Sequence, residues 1–160
     1  MLSYANVEPW NNAGPVELKS EVGKKTRTKW ECSVSESLIG DFIVTPLTSA
    51  RMLQREDEWM ENGCQTYAFQ CAAAKYALFS IHSKNGDQRA TLGLVNNEEH
   101  WSFDLCSGPY GENVMDEILE YYDDDGILQT EWLPTELYFV AHEVVRLMNM
   151  EKYSASDNVC

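Results

Sequence analysis

Two periods of hydrophobic spacing alternate along this chain, and the switches between them mark its elements. Residues 77–83 (ALFSIHS), 89–95 (RATLGLV) and 100–106 (HWSFDLC) are short runs rich in β-branched and aromatic residues, and they read as strands. KNGDQ joins the first two, and its Asn85-Gly86 tolerates the positive φ of a hairpin turn; the polar loop NNEE joins the next pair. Together they predict a three-stranded antiparallel meander over about 77–106. Helical spacing takes over elsewhere. Met52, Leu53 and Met60 with Trp59, an N-cap at Thr48 or Ser49 and a stop at Asn62-Gly63 predict a helix over about 49–61. Cys64, Tyr67, Ala68, Cys71 and Ala74 predict a second over about 64–75. Val114, Met115, Ile118, Leu119 and Tyr122 predict a third over about 112–122, closed by DDDG. Leu137, Val140, Ala141, Val144, Val145 and Met148 predict a fourth over about 134–150, with Pro134 in its first turn.

Two weaker strands complete the reading. DFIVTPL (41–47) is a short strand that Pro46 ends or moves to an edge, and TRTKWECSV would place Trp30, Cys32 and Val34 on one face. The expected class is α+β, with a loosely structured arm (1–30), one domain (31–153) and a polar tail (154–160). At 160 residues and 44% hydrophobic content the chain suffices for one domain with a core, and it shows no internal repeat. No apolar run reaches the roughly 18 residues of a membrane span, and MLSYANVEPWNN lacks the basic start and apolar centre of a signal peptide. The expected location is the cytoplasm. Five cysteines without a CxxC or a regular framework then read as reduced, mostly buried thiols.

Charge changes the picture. The net charge is −14, and it is unevenly placed: residues 1–60 carry nine acids and seven bases, 61–89 two and three, and 90–160 fifteen and two. Between Arg89 and Arg146 there is no Lys or Arg, while thirteen acids accumulate. Such a surface repels nucleic acid and anionic membranes, and a basic protein is its natural complement. The candidate partner-binding residues are Glu98, Glu99, Asp104, Glu112, Asp116, Glu117, Glu120, Asp123, Asp124, Asp125, Glu131 and Glu136.

The densest stretch, EYYDDDGILQTEW (120–132), reads three ways: a metal loop, a solvated turn or a functional acidic surface. An EF-hand loop needs ligands at positions 1, 3, 5 and 12 with Gly at 6. Setting Gly126 at 6 places Asp125 and Asp123 correctly but Tyr121 at 1 and Trp132 at 12, with Glu131 one residue short. The pattern fails, so no metal or other cofactor is expected. A catalytic Cys–His pair from Cys64 or Cys71 with His82 or His100 lacks any nucleophile context, and Cys-x6-Cys is not a common zinc spacing. No phosphate-binding glycine loop, GxSxG or HExxH occurs. No catalytic residue is expected.

From Met60 to Asn113 the chain resembles the PcfJ-like proteins of conjugative plasmids and phages. The matching positions are Met60, Cys64, Tyr67, Phe79-Ser80-Ile81, Arg89-Ala90-Thr91-Leu92, Trp101 and Gly108. Three polar positions of that family differ: its His before Cys is Gly63, its Gln after Trp is Leu105, and its Asn matches Asn113 only after a two-residue insertion. The resemblance implies a mobile-element origin and a retained scaffold with an altered site. The leading expectation is a non-enzymatic acidic protein that occupies a basic nucleic-acid groove, of the anti-CRISPR or antirestriction type. The competing expectation is a PcfJ-like accessory factor or enzyme acting on nucleic acid. In it Cys64, Tyr67, Arg89 and Thr91 line a pocket, Arg89 contacts an anion, and Lys24, Lys25, Arg27 and Lys29 supply phosphate affinity. A third reading gives the acidity a purely solubilising role.

Overall fold

The computed structural model describes Trp10 and residues 28–157, with side chains through Met150. Of the expected N-terminal arm, Trp10 and residues 28–30 are described; Lys24, Lys25 and Arg27 lie outside the described residues. The fold is α+β. Strands β1 (Ser37–Ile39), β2 (Phe42–Pro46), β3 (Tyr76–Ser83), β4 (Arg89–Asn96) and β5 (Trp101–Ser107) form one antiparallel sheet in that order. The expected meander is present as β3–β4–β5, and β1 and β2 extend it to five strands. Gly86 adopts φ 81 in the tight turn between β3 and β4, as Asn85-Gly86 required. Pro46 is the last residue of β2, which lies inside the sheet between β1 and β3. No strand forms at 28–34: Lys29 makes a single bridge to Ser49, and Trp30 packs into a different cluster from Cys32 and Val34.

Helix α1 (Ala50–Met60) begins at Ser49, whose side chain accepts from the Met52 amide, and ends at Glu61 in the left-handed region. The expected helix over 64–75 is shorter and broken. A 3₁₀ turn (Cys64–Tyr67) leads into α2 (Ala68–Ala72), and the chain leaves it through Ala74 at φ 59. Helix α3 (Glu136–Asp157) buries Leu137, Val140, Ala141, Val144 and Met148. It runs through residues 154–157 of the expected tail, and Pro134 ends the preceding strand instead of opening the helix.

The largest departure is at 112–122, where the expected helix is absent. Residues Asp116–Tyr122 form strand β6, paired antiparallel with β7 (Leu128–Pro134) in a two-stranded ribbon. Ile118, Leu119 and Tyr122 satisfy helical spacing, but Ile118, Glu120 and Tyr122 also alternate on one strand face. A partner strand decides between them. DDDG, a stop signal for a helix, here forms the hairpin loop, with Gly126 at φ 75.

The five-stranded sheet is covered on both faces. On one, Val44, Phe79, Ile81 and Leu92 pack against the α3 stripe. On the other, Leu47 and Leu78 pack with Leu53, Cys64, Tyr67 and Trp10 from the α1 side. Trp10 is 1% exposed; its indole Nε1–H donates to Tyr76 Oη at 2.9 Å, and the Tyr76 hydroxyl donates to Asp104 at 2.5 Å.

Candidate functional site

Two surfaces carry chemistry. The first is the ribbon and the cleft at its base. Between 116 and 134 there are seven carboxylates and no Lys or Arg. The register places Ile118 opposite Trp132 and Tyr122 opposite Leu128 on one face, with Glu120 and Thr130 between the two pairs. The other face carries Leu119, Tyr121 and Leu133 beside Glu117, Gln129 and Glu131. All of these apolar side chains are exposed, Tyr122 by 73% and Trp132 by 60%. Thr135 ties the base of the ribbon to the body through its hydroxyl, which donates to the Val114 carbonyl, and its amide, which donates to that of Met115.

The aspartate run is not three equivalent charges. Asp123 Oδ1 accepts from the amides of Asp125 (3.0 Å) and Ile127 (2.9 Å), and its Oδ2 accepts from Gln129 at 2.8 Å. These donors hold its carboxyl below the usual range, the Ile127 amide foremost. Asp123 builds the turn, whereas Asp124 and Asp125 project from it exposed. Next to the ribbon lies an open cleft of about 670 Å³, lined by Asp87, Glu112, Asp116, Glu117 and Glu136 with Arg89 as the opposing cation.

Nine of the twelve expected binding residues therefore gather on the ribbon and at its base: Glu112, Asp116, Glu117, Glu120, Asp123, Asp124, Asp125, Glu131 and Glu136. Three stand apart. Glu98 and Glu99 occupy the β4–β5 turn, at the far end of an eight-residue strand from the turn that borders the cleft. At strand rise that is roughly 25 Å. Asp104 is engaged by the Tyr76 hydroxyl.

The second surface lies beneath α1 and was not expected from the sequence. Thr45, Ser80, Thr91 and Ser107 are successive cross-strand partners on β2 to β5, so they form one polar row on the face under α1. Glu56 descends onto it from α1, only 2% exposed. Its Oε2 accepts from the Thr91 hydroxyl at 2.6 Å, and the Asn62 amide donates to the same hydroxyl at 3.0 Å. Desolvation pushes the Glu56 carboxyl up; the Thr91 and Ser80 hydroxyls and nearby Arg89 offset this only in part. A signal was available: Leu53, Glu56, Asp57 and Met60 fall at 3–4 spacing, which sets two carboxylates on the inward face of an amphipathic helix.

Of the residues of the competing expectation, Cys64 and Thr91 are fully buried and Tyr67 nearly so. Burial pushes the Cys64 thiol up, with the Glu56 and Asp57 charges adding to it, and burial raises the Cys71 thiol to about 12. Arg89 reaches open cavities, lining both the acidic cleft and a groove beside α1. Among the described residues no group of three or more His, Cys, Asp or Glu is gathered closely enough to hold a metal ion. No described helix is long and apolar enough to cross a membrane. No protein-family model, curated protein or solved structure matches the chain.

Proposed function

We propose that this protein is a non-enzymatic interaction protein of a mobile genetic element that docks on a basic protein surface through the β6–β7 ribbon and the cleft at its base. The target class is a nucleic-acid-binding host-defence effector, and the mode is occupation of its Lys- and Arg-lined groove in place of phosphates. One observation carries this reading: a two-stranded ribbon exposes large apolar side chains on both faces while bearing seven carboxylates and no cation. An isolated two-stranded hairpin is marginal in water and gains from a covering partner. Acidity serving solubility alone needs no exposed Trp132 and Tyr122 beside it. A second copy of the chain brings the same seven charges and is repelled, whereas a basic surface satisfies the carboxylates and covers the aromatics together. A Lys or Arg side chain of the partner suits the cleft, where five carboxylates face one arginine.

The test uses two variants: E117Q/E120Q/D124N/D125N, which keeps Asp123 and so the turn, and W132S. Retention of a basic protein from nuclease-treated bacterial lysate, identified by crosslinking from position 122 and competed by DNA or RNA, is expected to fall with salt. Purified partner should bind either variant about tenfold or more weakly at 0.1 M salt. Binding that is indifferent to salt and to both variants refutes the proposal.

A further inference from the structure

We infer that the groove beside α1 is a binding site for a small molecule carrying a carboxylate or phosphate on an apolar or aromatic body. The groove measures about 190 Å³ and lies over the strand positions His82 and Arg89, which face each other across β3 and β4. Two buried nitrogens there have no hydrogen-bond partner, Arg89 Nε and His82 Nδ1. Arginine Nε is always a donor, and His82 donates when its proton sits on Nδ1, so a ligand oxyanion supplies what both lack. A buried donor left without a partner is unfavourable, which makes the contrast with their surroundings informative. The neighbouring polar groups that serve the fold are satisfied: Thr91, Glu56 and Asn62 bond one another, and Asp57 accepts from the Gly63 amide at 2.8 Å. Ser107 Oγ and Gln70 Oε1 also lack partners, but neither lines this groove.

The rest of the lining suits such a ligand. Arg55 supplies a second guanidinium at the rim, and Leu47 and Met52 an apolar wall. Trp59, 57% exposed, lies against the Arg89 guanidinium at 4.5 Å and leaves ring surface free to receive a planar group. Glu56 opposes an anion here, but it is outnumbered by the two arginines and its carboxylate is turned to the Thr91 hydroxyl. Ser80, His82 and Arg89 of the lining belong to residues 61–89, where three bases outnumber two acids.

The inference does not rest on the ribbon, although Arg89 also lines the cleft at its base whereas Arg55 lines the groove. It is tested on the full chain at about 0.15 M salt, which confines long-range repulsion to about 8 Å. Inorganic phosphate, acetate, phenyl phosphate and benzoate are titrated while the His82 ring and Trp59 indole resonances are followed. Saturable shifts at both residues below about 10 mM are expected for phenyl phosphate or benzoate, with the stronger of the two identifying the headgroup. R89Q should weaken binding about tenfold or more and R89K less, because lysine keeps the charge and loses only the guanidinium fork. R55Q, at the rim, removes one charge without disturbing the strands and should weaken binding severalfold. If none of the four anions saturates, or if the shifts persist unchanged in both R89Q and R55Q, the inference is wrong.

Discussion

Thr91→Val is the sharpest probe of the buried polar row. The substitution nearly conserves shape, so it opens no cavity, and Thr91 has no solvent contact to complicate the change. It deletes the 2.6 Å hydroxyl donor to Glu56 and the 3.0 Å acceptor for the Asn62 amide. Losing a buried hydrogen bond costs about 0.5–1.5 kcal/mol, and orphaning the buried Asn62 amide about 1–3, so a loss of about 2–4 kcal/mol is expected. The pH dependence has a definite sign. Burial raises the Glu56 carboxyl above 4.5, so the folded protein holds that proton more tightly than the unfolded chain. Its contribution is therefore fully present below 4.5 and is lost as pH rises through the folded value, at about 1.4 kcal/mol per unit of displacement. Removing the Thr91 donor raises the carboxyl further, so the deficit of the variant should widen from pH 4 to pH 7. Urea unfolding of both proteins across that range, at matched slopes, measures it. A deficit below about 1 kcal/mol, or one that does not change with pH, refutes the assignment of Thr91 as a donor to the buried Glu56 carboxyl.

Two further outcomes follow from the α1 side of the sheet. Trp10→Ala should cost about 3–5 kcal/mol in denaturant unfolding, and Trp10→Phe less, about 1–3, because a six-membered ring is kept while part of the buried area and the bond to Tyr76 are lost. A Trp10→Phe protein as stable as the native one would mean that the hydrogen bond adds nothing beyond burial. In the native protein Cys71 and Cys106 should resist maleimide at pH 7.5, since burial lifts both thiols to about 12. Labelling that proceeds as fast as in urea would contradict that burial.

How much of this was readable beforehand depends on whether a local signal had one meaning. A cap at Thr48 or Ser49 and a turn at Asn85-Gly86 each admit one kind of conformation, and α1, capped by Ser49, and the β3–β4 hairpin formed where they pointed. Ile118, Leu119 and Tyr122 fit either period, and DDDG can stop a helix or reverse a strand. The choice rested on β7, whose LQTEWLP carries no strict alternation of its own. Charge asymmetry was visible as composition, but composition does not say where carboxylates point. Asp123 turned inward to build a loop, Asp104 bonded a tyrosine, and Glu98 and Glu99 went to the other end of the sheet. Glu56 was missed because the helix over 49–61 was read from its apolar residues Met52, Leu53, Trp59 and Met60, and its carboxylates were not placed on a face.

One small contact near the end of α3 has a wider consequence. The Trp101 amide donates to Asn149 Oδ1 at 2.7 Å, and the Asn149 amide returns a bond to the Trp101 carbonyl at 3.0 Å. A single side chain thereby imitates one rung of an additional strand on β5, and the Ser107–Asn113 bridge supplies another at the opposite end. The far side of the sheet offers only the three residues of β1. The main sheet is thus terminated on both flanks against recruiting foreign chains. Backbone pairing with another polypeptide is left to the seven-residue margins of β6 and β7, where the acidic side chains choose which polypeptides can approach.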